Sequence, residues 1–353
     1  MKTLLFALSL SAWAPLSAQM SIALDPSVAS PAPLGTVVTW TATVSSANPG
    51  TLWYRFRTRS VIPGFRPKVI SRNFLPLMAA SPATFRTVVD YGPNSSLNWS
   101  TIDQEGVFEI EVSVKNRDTG DSASTSALFA TTSLSTDSPS IMPTANPLVF
   151  IYSAPSYLPG SRMSVQFQSL DGSVQNTPYK SCSAASSMNF YLAGLHASMQ
   201  YTAQHVIDDG YSTVTGPLLT FNTPPISLQP PSVATLSSGQ MPSTDGILLQ
   251  SLLQTNAIAT DLYGNIVWYG PDGISFLTRP QAGGTFLGIV EDAMQDASHQ
   301  IVREFDLAWN TVAETNAGRV NEQLAALGLH PINAFHHEAR KLPDGKYLVL
   351  ANS

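Results

Sequence analysis

Strict alternation of apolar and polar residues marks the first third of the chain as β-structure. From Phe108 to Lys115 apolar and polar residues alternate without interruption, so this predicted strand has one buried face and one solvent-exposed face. Between Val38 and Val44, apolar residues alternate with threonines in the same way. Glycines punctuate the apolar segments at predicted turns. The pattern predicts a β-sandwich over residues 19–133.

A second sandwich is predicted over residues 134–223. Leu192, Gly194, Leu195 and Tyr201 have the spacing of a corner that resembles fibronectin type III domains, in which a tyrosine hydroxyl caps backbone. The resemblance implies a spacer or docking module without chemistry of its own. Two histidines of this module, at positions 196 and 205, have no evident partner in the sequence. We expect them to be structural or solvated.

The pattern changes after a proline-rich linker at residues 223–231. Strand, turn and strand follow one another from 257 to 269, and the same order returns from 301 to 312. The turn residues Asp261 and Asp306 lie 45 positions apart, within the roughly 40–50 residue period of propeller blades. Residues 224–353 are therefore predicted to hold the first blades of a β-propeller. The whole chain is predicted to be all-β.

A third hairpin is predicted around the turn Pro343-Asp344-Gly345, because proline presets φ and glycine accepts a positive φ. A short amphipathic helix with Val320 and Leu324 on its apolar side, ended by Gly328, precedes it. The apolar run 347–351 predicts a buried second strand.

The first strand of this hairpin begins with His336 and His337. Adjacent residues of a regular strand point to opposite faces, so we expect the two rings to be separated. For the same reason they cannot share one metal ion unless the strand is broken. No His-x-x-x-His motif and no cysteine lie nearby, so no metal site is predicted.

About two blades cannot close a propeller, which needs about four to eight. We therefore expect the sequence to be the N-terminal part of a longer, truncated protein. A small open β-domain is the alternative.

Composition and the N-terminus point outside the cytoplasm. Charged residues make up 12% of the chain, against roughly 25% in a typical protein. The net charge is −6 and no basic stripe is present, which argues against a nucleic-acid partner. Lys2, an apolar core over 4–13 and Ala18 predict a signal peptide at 1–18, with a mature chain from Gln19. No apolar run is long enough for a membrane span, so a secreted or periplasmic protein is expected.

Other chemistries have weaker signals. Cys182 is the only cysteine, which excludes an intrachain disulfide, and its neighbours offer no activating group. No Gly-x-Ser-x-Gly nucleophile turn is present. Arg55, Arg57 and Arg59 form a basic row on one strand face, either an anion site or, more simply, a solvated sheet face. No cofactor is expected.

The segments from Asp261 to Tyr269 and from His336 to Ala351, in this order and spacing, resemble the bacterial arylsulfate sulfotransferases. The residues between 306 and 334 are also similar to members of that family. The resemblance implies a six-bladed propeller outside the cytoplasm. Such enzymes move a sulfuryl group from an aryl sulfate donor to a phenolic acceptor through a sulfohistidine, without the nucleotide sulfate donor.

The same resemblance implies roles for single residues. His337 precedes an acidic residue as the family's channel histidine does, so it is the leading catalytic candidate, and His336 is the second. Arg340 is either a sulfate contact or a solvated strand residue. The nucleophilic histidine is expected in a later blade, beyond Ser353. The cysteine pair that some members bridge is absent.

A function of another class stays open. The chain could be a secreted, non-catalytic protein whose sandwiches and propeller bind a glycan or a protein. A reading frame that continues through about four more blades favours the enzyme. The sequence specifies neither the natural donor nor the acceptor, and it leaves a homo-oligomer open.

Overall fold

The computed structural model describes residues 20–46, 50–63, 83–102, 105–170, 172, 174–229, 246–251, 256–271, 273–281, 283–290 and 299–353. The expected signal peptide, its cleavage site and the last two residues of the proline-rich linker lie outside these residues. The fold is all-β, and the described part of the chain contains a single α-helix. No helix in the described part has the length and apolar character needed to cross a membrane.

The N-terminal part is a two-layer sandwich, and the alternation predicted for its strands is confirmed. One layer has the order β1-β3-β6 and the other has β2-β8-β7-β4-β5. Trp40 and Trp99 of the first layer meet Phe129 of the second edge-to-face, at ring distances of 5.7 and 5.9 Å. The strands are β1 (Ser21–Pro26), β2 (Ala32–Pro33), β3 (Val38–Ser45), β4 (Leu52–Pro63), β5 (Arg86–Gly92), β6 (Ser96–Trp99), β7 (Gly106–Asn116) and β8 (Ser122–Thr132).

The next part is a second two-layer arrangement with its own apolar core. Its sheets have the orders β14-β10-β9 and β12-β11-β15-β16, with β13 on β11 and β17 on β15. The predicted tyrosine corner is confirmed, because the backbone N–H of His196 donates to the hydroxyl of Tyr201 at 2.8 Å. The strands are β9 (Ser140–Pro143), β10 (Phe150–Ala154), β11 (Arg162–Ser169), β12 (Gln175–Asn176), β13 (Lys180–Ser181), β14 (Met188–Leu192), β15 (Gln200–Asp208), β16 (Thr213–Thr215) and β17 (Leu219–Asn222).

Both histidines of this part have partners within hydrogen-bond distance that the sequence does not reveal. His196 Nε2 lies 3.1 Å from Asp261 Oδ2, in the C-terminal part of the chain. His205 is buried, and its Nδ1 lies 2.8 Å from the hydroxyl of Tyr152. Burial lowers the pKa of His205. Both partners are far away in sequence, so no local pattern could reveal them.

The C-terminal part consists of antiparallel meanders. One sheet has the order β18-β19-β20, four further strands follow one another as β21-β22-β23-β24, and β25 pairs with β26. No sheet among the described residues closes on itself. The elements are β18 (Ile247–Gln250), β19 (Ile258–Asp261), β20 (Ile266–Tyr269), β21 (Ile274–Gln281), β22 (Thr285–Val290), β23 (Ile301–Asp306), β24 (Thr311–Asn316), α1 (Ala317–Ala326), β25 (Ala334–Lys341) and β26 (Tyr347–Asn352).

Three turns of this part share one backbone geometry, which confirms the predicted repetition of the turn. In each, the first residue's N–H donates to the fifth residue's carbonyl, and the fourth residue's N–H donates to the first residue's carbonyl. The first and fourth residues are Asp261 and Gly264 in the first turn, Asp306 and Trp309 in the second, and Leu342 and Gly345 in the third. The fourth residue has a positive φ in every case, of 89°, 72° and 83°.

The predicted helix is confirmed as α1. Asn316 is its N-cap, since the side-chain oxygen accepts the N–H of Arg319 at 2.8 Å. Gly328, with a φ of 69°, lies just past the C-terminal end, where a left-handed residue lets the chain leave the helix.

The first sandwich and the C-terminal meander form one continuous sheet. Glu314 of β24 pairs with Val89 of β5, which gives the nine-strand order β2-β8-β7-β4-β5-β24-β23-β22-β21. Beside this junction, the side chain of Asn316 donates to the carbonyl of Tyr91 at 2.8 Å. The edge of the C-terminal meander is therefore covered by a strand from the N-terminal sandwich.

The prediction of a buried last strand is wrong. Strand β26 is largely exposed, with Leu348 59% and Leu350 57% accessible. A continuous apolar run becomes buried only when another layer covers it. Among the described residues, β26 pairs with β25 alone.

Candidate functional site

The histidine pair lies in a bulge of β25. Phe335 pairs with Ala351, and pairing resumes at Ala339 with Val349, so three residues oppose the single residue Leu350. Bulges of this kind redirect side chains and often lie next to functional sites. His337, inside the bulge, has a φ of 52°. A left-handed conformation costs a residue with a side chain roughly 1–2 kcal/mol.

The bulge brings the two imidazole rings together. The ring centres of His336 and His337 are 3.7 Å apart and the ring planes are nearly perpendicular, at 89°. Our expectation of opposite faces assumed a regular strand and is wrong, because the bulge abolishes the alternation there. His337 also contacts the ring of Phe276 of β21, at 5.4 Å. Both histidines are exposed.

Glu338 links two guanidinium groups beside the histidines. Its Oε1 accepts a hydrogen bond from Nε of Arg279 at 2.7 Å and lies 3.5 Å from Nε of Arg340. About half of each arginine side chain is exposed. The two guanidinium groups and the one carboxylate together leave one net positive charge. The cluster of His336, His337, Glu338, Arg279 and Arg340 is called the His-Arg cluster below.

The sequence named Arg340 as a candidate but gave no indication of Arg279. Arg279 lies 59 positions before Glu338 and belongs to β21, on which β25 packs. The sequence around Arg279 carries no motif that singles it out. Its place in the cluster depends on the packing of two hairpins, which local periodicity does not encode.

On another side of β25, a buried carboxylate anchors the hairpin to the meander. Glu304, with 2% of its side chain exposed, accepts hydrogen bonds from Lys341 at 2.9 and 3.0 Å and from Thr285 at 2.7 Å. It also accepts the hydroxyl of Tyr347. Burial raises the pKa of Glu304, but hydrogen bonds from Tyr347, Thr285 and Lys341 outweigh burial and hold it below its usual value. Burial and the bond to Glu304 raise the pKa of Tyr347.

Two of the three arginines in the row of β4 pair with carboxylates. Arg57 pairs with Glu111 at 2.5 Å, and Nε of Arg59 donates to Glu109 at 2.7 Å. Both carboxylates belong to β7, the neighbouring strand. The sequence held this signal, since Glu109 and Glu111 alternate on a predicted strand just as the arginines do.

Metal and thiol chemistry have little support in the described part of the chain. No group of three or more His, Cys, Asp or Glu side chains there is placed to hold a metal ion. Cys182 is buried, and burial raises the pKa of its thiol. A buried thiol of raised pKa is a poor nucleophile.

Comparisons with known proteins add little. No family model matches the sequence, and no curated protein matches it significantly. Similar solved structures include chicken CNTN1 FN1–FN3 domains, with 9% identity, a TM-score of 0.21 and coverage of 57% of this chain and 66% of that one. A two-domain fibronectin type III segment of chicken tenascin has 13% identity, a TM-score of 0.22 and coverage of 56% of this chain and 98% of that one. The chicken interferon gamma receptor alpha chain has 9% identity, a TM-score of 0.21 and coverage of 57% of this chain and 97% of that one. Likeness at these TM-scores supports no functional argument.

Proposed function

We propose that this chain is the N-terminal part of an exported arylsulfate sulfotransferase, with residues 224–353 contributing the first blades of a β-propeller. The observation that carries the proposal is the His-Arg cluster. It combines two touching imidazoles and two guanidinium groups beside a single carboxylate, on a strand that the repeated turns relate to the preceding meanders.

The reaction moves a sulfuryl group in two balanced steps. An imidazole nitrogen attacks sulfur and the ester S–O bond breaks, so the phenolate leaves with the bonding electron pair. A phenol oxygen then attacks the sulfohistidine, the N–S bond breaks, and the acceptor proton is released. The nucleophile itself belongs to a later blade in this proposal, as the family resemblance implies.

The residues of the His-Arg cluster have positioning and charge-stabilising roles in this proposal. His337 and His336 donate N–H groups to the sulfuryl oxygens, and Arg340 and Arg279 supply fixed positive charge. Donors aimed at charge that develops in the transition state accelerate such transfers, as in phosphoryl transfer. Because the rings are in contact, we expect the two histidines to act together.

The test uses the product of the complete reading frame, with 4-nitrophenyl sulfate as donor and phenol as acceptor. We expect His337→Ala to lower the rate about 100- to 1000-fold, the usual effect of removing one oxyanion donor. His336→Ala should also lower it, because its ring contacts His337. His330→Ala removes an exposed histidine from the loop between α1 and β25 and is the matched control.

Two results would count against the proposal. Unchanged rates in both variants would remove the His-Arg cluster from the reaction. A wild-type protein without activity on several phenols would favour the binding protein instead. Export is tested separately by N-terminal sequencing of secreted material, for which we expect Gln19 and not Met1 as the first residue.

A further inference from the structure

Two cavities lie at the junction of the N-terminal sandwich with the C-terminal meander. Their volumes are about 310 and 260 Å³, and both are lined by Val89, Asn94 and Glu314. The smaller one also reaches Ala145 of the second sandwich and Pro271 after β20. Ligand sites occur preferentially at such meeting points of domains. The His-Arg cluster takes no part in either cavity.

A strained tryptophan forms one wall of the smaller cavity. Trp309 occupies the fourth position of its turn with a φ of 72°, where the two equivalent turns have Gly264 and Gly345. A bulky residue is a genuine outlier at positive φ, and such strain often accompanies function. The indole is held in place, since Nε1 donates to the carbonyl of Tyr269 at 2.7 Å and the two rings meet edge-to-face at 5.1 Å. The turn therefore places a rigid aromatic surface where glycine would suffice for the backbone.

Two side-chain amides line the same cavity with donors to spare. Oδ1 of Asn94 accepts both the N–H and the hydroxyl of Ser96, at 3.1 and 3.0 Å. Oδ1 of Asn98 accepts the hydroxyl of Thr39 at 2.7 Å. In both side chains the amide oxygen accepts a hydrogen bond. Within the described part of the chain, the exposed NH₂ group has no partner. These groups can donate to a ligand oxygen.

The charges of the cavity cancel. Nε of Arg303 donates to Oε2 of Glu314 at 2.6 Å, and both side chains are mostly buried. An ion pair satisfied in this way leaves no net charge for an ionic ligand to balance. The walls therefore favour a neutral ligand that accepts hydrogen bonds and has one apolar face.

We propose that this cavity, lined by Trp309, Asn94, Asn98, Arg303 and Glu314, binds a neutral saccharide. Sugar hydroxyls can accept from the two amides, and the C–H face of a sugar ring suits the indole. The volume of about 260 Å³ lies below the roughly 300–1,000 Å³ of pockets for drug-sized ligands. A mono- or disaccharide is accordingly the expected size. The site is independent of the sulfuryl transfer proposed above.

The test is a titration of the whole chain with neutral disaccharides. The probes are maltose, cellobiose, lactose and N,N′-diacetylchitobiose, followed by ligand-observed NMR and by tryptophan fluorescence. We expect at least one to bind and Trp309→Gly to weaken it at least tenfold. That variant restores the residue of the equivalent turns, so its backbone is not strained. Asn98→Asp keeps the acceptor for Thr39 and removes the donors, and it should weaken binding to a similar extent.

Tyr263→Ala is the matched control, because it removes an exposed aromatic side chain from the equivalent turn of the preceding repeat. It should bind like the wild type. If Trp309→Gly does not fold, as judged by its thermal melt, Asn98→Asp decides the question. Absence of binding by all four probes at tens of millimolar would overturn the proposal. So would unchanged affinity in Asn98→Asp, or equal loss of affinity in Tyr263→Ala.

Discussion

At the scale of single residues, the repeated turn contains two equivalent aspartates, Asp261 and Asp306, whose pKa values shift in opposite directions. Asp261 and Asp306 accept the same two turn N–H groups and the side chain of the fifth residue. Burial raises the pKa of Asp306 in spite of hydrogen bonds from Asn310 and Tyr191. Burial also acts on Asp261, but bonds from Asn265, Tyr263 and His196 outweigh it and hold the pKa below the usual value.

The two aspartates should therefore contribute to stability in opposite pH ranges. The folded pKa of Asp261 is lowered, so its contribution is present above the unfolded value of 3.8 and is lost as pH falls through the folded pKa. The folded pKa of Asp306 is raised, so its contribution is present below 3.8 and is lost as pH rises through the folded pKa. Carboxyl NMR titration should give the higher pKa to Asp306. Equal values would contradict this account.

Residue-level prediction from sequence succeeded where a local motif fixes the geometry. The tyrosine corner and the three turns depend on residues within ten positions of one another, and all of them were predicted. The partners of His196 and His205, and the place of Arg279, depend on contacts across 53 to 65 positions. No spacing rule covers such contacts.

At the scale of elements, periodicity predicted strands well but not their irregularities. The alternation from Phe108 to Lys115 gave β7, since every second side chain there enters one core. The bulge in β25 could not be predicted. Phe335 and Ala339 are both buried, but residues four positions apart also share one face of a regular strand, so their apolar character gives no sign of the bulge.

The anchoring of this hairpin gives a prediction at the same scale. Glu304→Gln removes the charge that Lys341 and Tyr347 contact, and should cost about 1–3 kcal/mol at neutral pH. The folded pKa of Glu304 lies below the unfolded value of 4.5, so the difference from wild type should shrink as pH falls below about 4.5. Urea denaturation at several pH values measures the difference in unfolding free energy between the variant and the wild type. Asp344→Asn, which affects an exposed pair with Lys346, is the control and should change little. A pH-independent difference would rule out the charged contact as its cause.

At the scale of the whole molecule, strand pairing joins parts that sequence reasoning treats as separate. The junction of β5 with β24 is reinforced by ion pairs from α1, in which Arg319 contacts Asp90 at 3.3 Å and Glu322 contacts Lys115 at 2.5 Å. Partly exposed pairs of this kind contribute little each. The apolar and backbone contacts of the sheet edge should therefore matter more for holding the parts together.

Separating the two parts of the chain should expose strand edges that the shared sheet covers. Residues 225–353 alone would expose the edge of β24 in addition to the exposed apolar strand β26, and unpaired edges template aggregation. We expect this fragment to aggregate more strongly than residues 21–223, in which β5 also loses its partner β24, as measured by light scattering and analytical ultracentrifugation. Leu348→Lys places a charge on β26 and should reduce aggregation of the fragment without abolishing it, because β24 stays uncovered. A monodisperse fragment 225–353 that melts cooperatively would show that its edges need no cover from the N-terminal sandwich.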